Sequence, residues 1–88
     1  MNNEEAEYRQ RRDQWFADVE RGNRSAVDRT LGQKALRDFR GDKYEWTTIM
    51  THDQRPAFLV AANGGHTEVM QLLAARGADV HAVDPGGE

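Results

Sequence analysis

The feature that most constrains the fold of this chain is a pair of glycines, Gly64 and Gly65, between two segments with helical character. The first segment, residues 56–63, starts with a proline, which is favoured in the first turn of a helix. The second, residues 67–76, carries its apolar side chains on one broad arc, at Val69, Met70, Leu72 and Leu73. A helix–turn–helix unit of this kind buries only part of its apolar surface on its own. It is therefore expected to stack against a second unit.

The same alternation of helix, glycine turn and helix occurs earlier in the chain. An overlay places residues 15–31, WFADVERGNRSAVDRTL, on residues 58–74, FLVAANGGHTEVMQLLA, and so pairs Gly22 with Gly65. A long helix is predicted over residues 4–21, with one apolar face formed by Tyr8, Trp15, Phe16 and Val19. A second helix is predicted to start near Ser25, with the serine hydroxyl as its cap. Two such units predict a mainly α-helical chain of antiparallel helix pairs placed side by side.

From Ala61 onward the sequence reads AANGGHTEVMQLLAARGADVHAVD, and this string resembles the ankyrin repeat. The corresponding family pattern is A-A-x-x-G-H-x-E-V-V-x-L-L-L-x-x-G-A-D-V-N-A. The resemblance assigns one clear repeat to residues 56–84 and a degenerate N-terminal repeat to about residues 12–32. It implies a fold that is mainly all-α, with ankyrin-repeat-like stacked helix-turn-helix pairs and an extended or hairpin segment between the repeats. The chain departs from the family at residues 56–59, where Pro-Ala-Phe-Leu replaces Thr-Pro-Leu-His, and at Gln54, where the family has glycine.

The two units lie further apart than ankyrin repeats do. The separation of Gly22 and Gly65 exceeds the family period of about 33 residues by about ten. We predict that the extra residues, within 33–50, form a short helix followed by extended structure that packs on the repeats. Four residues of this segment are too apolar for a solvated loop, namely Leu36, Phe39, Trp46 and Ile49. Within it KYEWTTIMT, residues 43–51, is the best strand candidate.

The resulting division treats residues 1–88 as one ankyrin-type domain. Its predicted parts are an N-terminal capping helix with the degenerate repeat at 1–32, an insertion and hairpin at 33–55, the clear repeat at 56–84, and a tail or the start of a further repeat at 85–88. The last predicted helix has an apolar arc too wide for one neighbour. We therefore expect the chain to be able to associate with itself through its C-terminal repeat face.

Composition and charge exclude several classes of function. The chain has no cysteine, so neither a disulfide framework nor a thiolate metal site is available. Residues 1–44 carry a net charge of +1 and residues 45–88 a net charge of −4, which gives the −3 of the whole chain. This balance argues against a nucleic-acid partner. No apolar run approaches the length of a membrane span, and the N-terminus does not resemble a secretory signal. A cytoplasmic location without a membrane partner is the expectation.

Residues able to carry catalysis or bind a metal do not form a recognisable motif. The candidate metal ligands are His52, Asp53, His66, His81 and Asp84, and no two histidines have the i,i+4 spacing of a helical zinc site. Ser25 is the only serine and lacks the context of a catalytic nucleophile. We therefore predict no catalytic residues, no metal, no cofactor and no enzymatic activity.

The resemblance implies a protein–protein interaction module of the scaffold or adaptor type, without catalytic activity. In this family partners are held by the hairpin tips and the inner helix surface. Carried over position by position, the partner-binding residues are His52, Asp53, Arg55, Asn63, Gly64 and Val83 in the clear repeat, and Glu20 and Arg21 in the degenerate one. Two alternatives stay open: the chain is an N-terminal regulatory or targeting segment of a larger enzyme or translocated effector, or it is a regulator of nucleic acid. The sequence does not identify the partner.

Overall fold

The computed structural model describes residues 3–38, 40–51 and 53–81, with side chains from residue 5 onward. These ranges contain four helices and one two-stranded antiparallel sheet. In chain order the elements are α1 (Asn3–Arg21), α2 (Arg24–Leu31), β1 (Leu36–Arg37), β2 (Lys43–Tyr44), α3 (Ala57–Asn63) and α4 (Thr67–Ala75). The described part of the chain is thus mainly helical, as the sequence predicts. None of its helices combines the length and the apolar character that crossing a membrane requires.

The break between α1 and α2 is set by two residues. Gly22 has a φ of +71°, in the left-handed region that glycine adopts without steric strain. The side-chain oxygen of Asn23 then accepts a hydrogen bond of 3.2 Å from the amide of Ala26, which caps α2. The prediction that Ser25 caps this helix is wrong, because Ser25 already lies in the first turn of α2. The helix ends at Leu31, and Gly32 follows as its C-cap.

The second helix pair follows its predicted boundaries closely. The helices expected over residues 56–63 and 67–76 are confirmed as α3 and α4, each to within one residue at either end. Pro56 occupies the position before α3 and provides no side-chain cap. Gly65 has a φ of +72° in the turn between the two helices.

The four helices form two layers. Helix α1 contacts α2 and α3, and α4 contacts α2 and α3, so that α1 and α3 lie in one layer and α2 and α4 in the other. A hydrogen-bonded ion pair joins the two helices of the α2 and α4 layer, since the Nη2 of Arg76, directly after α4, donates to the Oδ1 of Asp28 in α2 at 3.2 Å. Each helix is therefore held by its partner in the pair and by its counterpart in the other pair.

A single apolar core runs through both layers. Its buried residues come from every helix, from the segment between the pairs and from the residues after α4: Trp15, Val19, Val27, Leu36, Trp46, Ile49, Ala57, Ala61, Val69, Leu73 and Ala78. Of the predicted apolar arc on α4, Val69 and Leu73 are buried, whereas Met70 and Leu72 are only half-buried. The outer part of the arc thus stays at the surface of the chain.

The segment between the helix pairs differs from the prediction, because it forms a hairpin where a short helix is expected. The short helix predicted within residues 33–50 is not found in the described part of the segment. Instead β1 pairs with β2, with Leu36 opposite Tyr44 and Arg37 opposite Lys43. The strand predicted over residues 43–51 is confined to these two residues of β2, because a turn at 46–48 follows it. Phe39 lies outside the described residues.

The buried carboxylate of Asp38 explains why this segment is a hairpin. Its Oδ1 accepts hydrogen bonds of 2.9 Å from the amides of Arg40 and Asp42, and its Oδ2 accepts one of 3.2 Å from the hydroxyl of Tyr44. An aspartate that binds the backbone of the residues after it favours a turn over a helix. Burial acts to raise the pKa of Asp38, but the hydrogen bonds from Asp42, Arg40 and Tyr44 outweigh it. The pKa of Asp38 therefore lies below its ordinary value of 3.8.

The prediction that this segment packs on the helices is confirmed for three of its four apolar residues. Leu36, Trp46 and Ile49 are buried. The ring of Trp46 meets that of Trp15 on α1 at a centroid distance of 5.4 Å and an angle of 52°, a tilted arrangement that aromatic pairs favour. The indole Nε1 of Trp46 donates to the carbonyl of Lys34 at 3.1 Å, so its polar atom is satisfied inside the core.

We predict that Asp38→Asn lowers the free energy of unfolding at neutral pH, because the charge that the two amides and the Tyr44 hydroxyl stabilise is lost. The pKa of Asp38 is lower in the folded chain than in the unfolded one, so its contribution to stability is fully present above pH 3.8 and is lost as the pH falls through the lower folded value. Chemical denaturation at a series of pH values should show the variant and the wild type converging in acid. Asp42→Asn, at an exposed side chain 3.7 Å from Arg40, is the control and should change stability little. A constant difference between Asp38→Asn and wild type at all pH values would contradict this account.

Candidate binding groove

The side chain of His66 joins the two helix pairs. Its Nε2 lies 2.6 Å from the backbone carbonyl of Glu20, at the end of α1. Because a carbonyl oxygen only accepts hydrogen bonds, Nε2 carries the proton and donates it. The backbone of His66 is fixed as well, since its amide donates to the carbonyl of Ala61 in α3 at 2.9 Å, and its carbonyl accepts from the amide of Met70 in α4 at 3.0 Å. One residue thus connects the end of α1 to the turn between α3 and α4.

Two glycines make room for this imidazole ring. A Cβ atom on Gly22 would lie 2.4 Å from Nδ1 of His66, and a Cβ atom on Gly64 would lie 2.7 Å from its Cδ2. Both distances are shorter than any normal contact, so the ring is seated directly on the backbone at the ends of α1 and α3. The C-terminal ends of these two helices are therefore held side by side.

A groove of about 370 Å³ opens beside these helix ends. It is formed by the last turns of α1, by the end of α3 and by the turn at residues 51–55. Its lining residues are Phe16, Glu20, Thr51, Asp53, Arg55, Val60, Asn63 and Gly64. Phe16 and Val60 are half-buried and apolar, whereas the carboxylates of Glu20 and Asp53 and the amide of Asn63 are exposed. The groove therefore has an apolar floor and polar edges.

The 51–55 turn is held by its own backbone and by one hydroxyl. The amide of Thr51 donates to the carbonyl of Arg55 at 3.0 Å, and the amide of Arg55 donates to the hydroxyl of Thr51 at 3.2 Å. Met50 and Pro56 form a bridge at its base. Gln54 has a φ of +60°, in the left-handed region that residues other than glycine seldom adopt.

The structure brings five of the eight sequence-predicted binding residues to this groove: Glu20, Asp53, Arg55, Asn63 and Gly64. Arg21 is exposed at the end of α1 but does not line the groove. His52 and Val83 lie outside the described residues. Three further lining residues were not among the predicted ones, namely Phe16, Thr51 and Val60. The sequence places Phe16 on the apolar face of α1 and so predicts it as a core residue. In the structure it is half-buried and contributes to both the core and the groove.

Other polar side chains of the described residues are mostly engaged within the fold. On α1, Arg9 pairs with Glu5 at 2.6 Å and Arg11 with Glu7 at 3.5 Å, as expected of a solvated helix face. A second cavity of about 420 Å³, between α1 and α2, contains the buried Asp18, whose Oδ1 accepts from the side-chain amide of Gln14 at 3.0 Å. Within residues 3–38, 40–51 and 53–81, no three carboxylates or imidazoles are grouped as ligands for a metal ion.

Comparisons with protein-family models, with curated proteins and with solved structures give no match to this chain.

We predict that Gly64→Ala lowers the free energy of unfolding by about 1–3 kcal/mol, because the added methyl group overlaps the ring of His66. In the background of His66→Ala the same substitution should cost less than about 1 kcal/mol, since Gly64 has an ordinary φ of −86° and only the ring obstructs it. A double-mutant cycle measured by chemical denaturation tests this coupling.

Two glycines serve as controls for that cycle. Gly22→Ala should remain costly in both backgrounds, because its φ of +71° strains any other residue. Gly32→Ala should be close to neutral, since its Cβ atom would meet nothing nearer than 3.5 Å. An equal cost for Gly64→Ala with and without the imidazole would show that the ring does not lie on this backbone.

Proposed function

We propose that this chain is an ankyrin-type protein–protein interaction module that acts as a scaffold or adaptor and not as an enzyme. The arrangement of the helices supports the proposal, because α1 with α2 and α3 with α4 form two pairs in contact through equivalent helices. The string from Ala61 to Asp84 supplies the resemblance on which the family assignment rests. We also propose a cytoplasmic location, with which the cysteine-free composition is compatible.

The observation that carries the proposal is the convergence of the predicted binding positions. Five residues assigned by the resemblance alone come from α1, from the 51–55 turn and from the end of α3, and they line one groove. In an ankyrin-type module the inner helices and the hairpin tips form the partner surface, and the groove lies between elements of both kinds. The location of the groove is thus the one that the proposed function requires.

The composition of the groove suits contact with a protein segment. Phe16 and Val60 provide a half-buried apolar floor, against which a partner side chain loses water on docking. Exposed polar groups of Glu20, Asp53 and Asn63 surround it and can hydrogen bond to a partner backbone or side chain. An apolar centre with a polar rim is the usual composition of a protein interface.

We predict that Asn63→Tyr reduces capture of the partner at least about tenfold, because a neutral, bulky side chain at this exposed position fills the groove without changing its charge. The measurement is quantitative capture of proteins from the source cells on the immobilised chain. Gln71→Tyr is the matched control, since Gln71 is exposed on α4, which contributes no residue to the groove.

The supporting result is a captured protein that binds the wild type and Gln71→Tyr equally and loses binding to Asn63→Tyr. Unfolding curves of the two variants verify that both remain folded. If every captured protein is retained equally by the two variants, the groove is not the binding surface and the proposal is wrong.

A further inference from the structure

The charges that the groove presents to solvent are predominantly negative. The side chains of Glu20 on α1 and Asp53 in the 51–55 turn are exposed and line the groove. The single cation among the lining residues, Arg55, is half-buried and engaged in interactions within the fold. Arg21, in the last turn of α1, is exposed but is not one of the lining residues. A partner entering the groove therefore meets two carboxylates at its edges.

The backbone adds to this negative potential. Helices α1 and α3 both end at the groove, with Glu20 near the end of one and Asn63 as the last residue of the other. The C-terminal end of a helix carries the negative pole of its dipole, equivalent to roughly half an elementary charge, and favours cations nearby. His66 holds the two helix ends together, and both ends border the groove.

We propose that the groove receives a basic segment of a partner protein, in which a lysine or arginine side chain is placed next to an apolar one. The apolar side chain packs on Phe16 and Val60, and the cationic group lies between the carboxylates of Glu20 and Asp53. This inference rests on the proposed function, since it assigns a chemical class to the partner of the same groove. The net charge of −3 on the whole chain also favours a basic partner over a longer range.

The same charges disfavour an acidic partner. A phosphate backbone or a glutamate-rich peptide would bring its negative charge against two exposed carboxylates and two negative helix ends, and like charges at such distances repel. Charge complementarity therefore favours a basic segment in this groove. The apolar floor adds a contact that a basic segment would not make elsewhere on the acidic surface.

The experiment uses the full chain and an array of short synthetic peptides with varied apolar residues, each printed in a lysine form and in an otherwise identical glutamate form. The lysine forms should retain more of the chain than the glutamate forms, and the difference should shrink as salt is raised. Glu20→Gln and Asp53→Asn should each weaken the best lysine peptides about two- to fivefold, the usual effect of a partly exposed charge. Glu68→Gln, at an exposed glutamate in the first turn of α4, removes the same charge away from the groove and should leave binding unchanged.

Asn63→Tyr fills the groove without changing its charge. It therefore distinguishes a failure of the basic-partner inference from a failure of the proposed function. If Asn63→Tyr abolishes peptide binding but lysine and glutamate forms bind alike, or if Glu20→Gln and Asp53→Asn have no more effect than Glu68→Gln, the groove is a binding site and the basic partner is overturned. If Asn63→Tyr weakens no peptide, both the basic partner and the groove itself are overturned. The inference is supported if Asn63→Tyr abolishes binding of the lysine peptides and if Glu20→Gln and Asp53→Asn weaken that binding whereas Glu68→Gln does not.

Discussion

The hydrogen bond from the imidazole of His66 to the backbone carbonyl of Glu20 is the interaction on which the architecture depends. It joins two residues that belong to different helix pairs, and it requires glycine at both Gly22 and Gly64 because the ring occupies the space of their side chains. An intramolecular hydrogen bond contributes about 1 kcal/mol to stability on average. This one also fixes the relative position of two helix ends. It sets the distance between the ends of α1 and α3, and the groove lies beside those ends.

The apolar core provides the other contacts that hold the helices together. A chain of 88 residues has a small interior, and a domain of this size is stabilised only modestly by burial alone. The segment between the pairs adds to that interior, since Leu36, Trp46 and Ile49 lie in the same cluster as the helix residues. Trp46 contacts Trp15 in the middle of α1, at some distance along the helix from the end that His66 holds. The long helix α1 is therefore held at several points along its length, since Tyr8 meets the ring of Tyr44, Trp15 meets that of Trp46, and the carbonyl of Glu20 accepts from His66.

The parts of this fold that the sequence predicts are those with local signals. Glycines with positive φ at the helix ends, a proline before α3 and apolar residues at helical spacing give three of the four helices almost to the residue. Strand β1 lies where a short helix is predicted, whereas β2 lies within the predicted strand at residues 43–51. The hairpin that joins them is stabilised by the three hydrogen bonds that Asp38 accepts. Such a hydrogen-bond network depends on several side chains and backbone amides at once. It cannot be predicted from the spacing of apolar residues.

The groove was predictable only in part, for a related reason. Family resemblance identifies positions one at a time, and it led to Glu20, Asp53 and Asn63. These positions line one groove because the chain packs distant segments together, and the contact between His66 and α1 joins two of those segments. The apolar floor was not predicted as part of the site because half-buried residues such as Phe16 have the same sequence signature as buried ones.

The most direct test of this account is nuclear magnetic resonance of the His66 side chain in the full chain. We predict that the ring is in the tautomer protonated at Nε2 and that this proton exchanges slowly, because it is bonded to the carbonyl of Glu20. Ring protons should also show nuclear Overhauser effects to the α-protons of both Gly22 and Gly64. A ring protonated at Nδ1 alone, or one with no Overhauser effect to Gly22, would show that His66 does not join the two helix pairs.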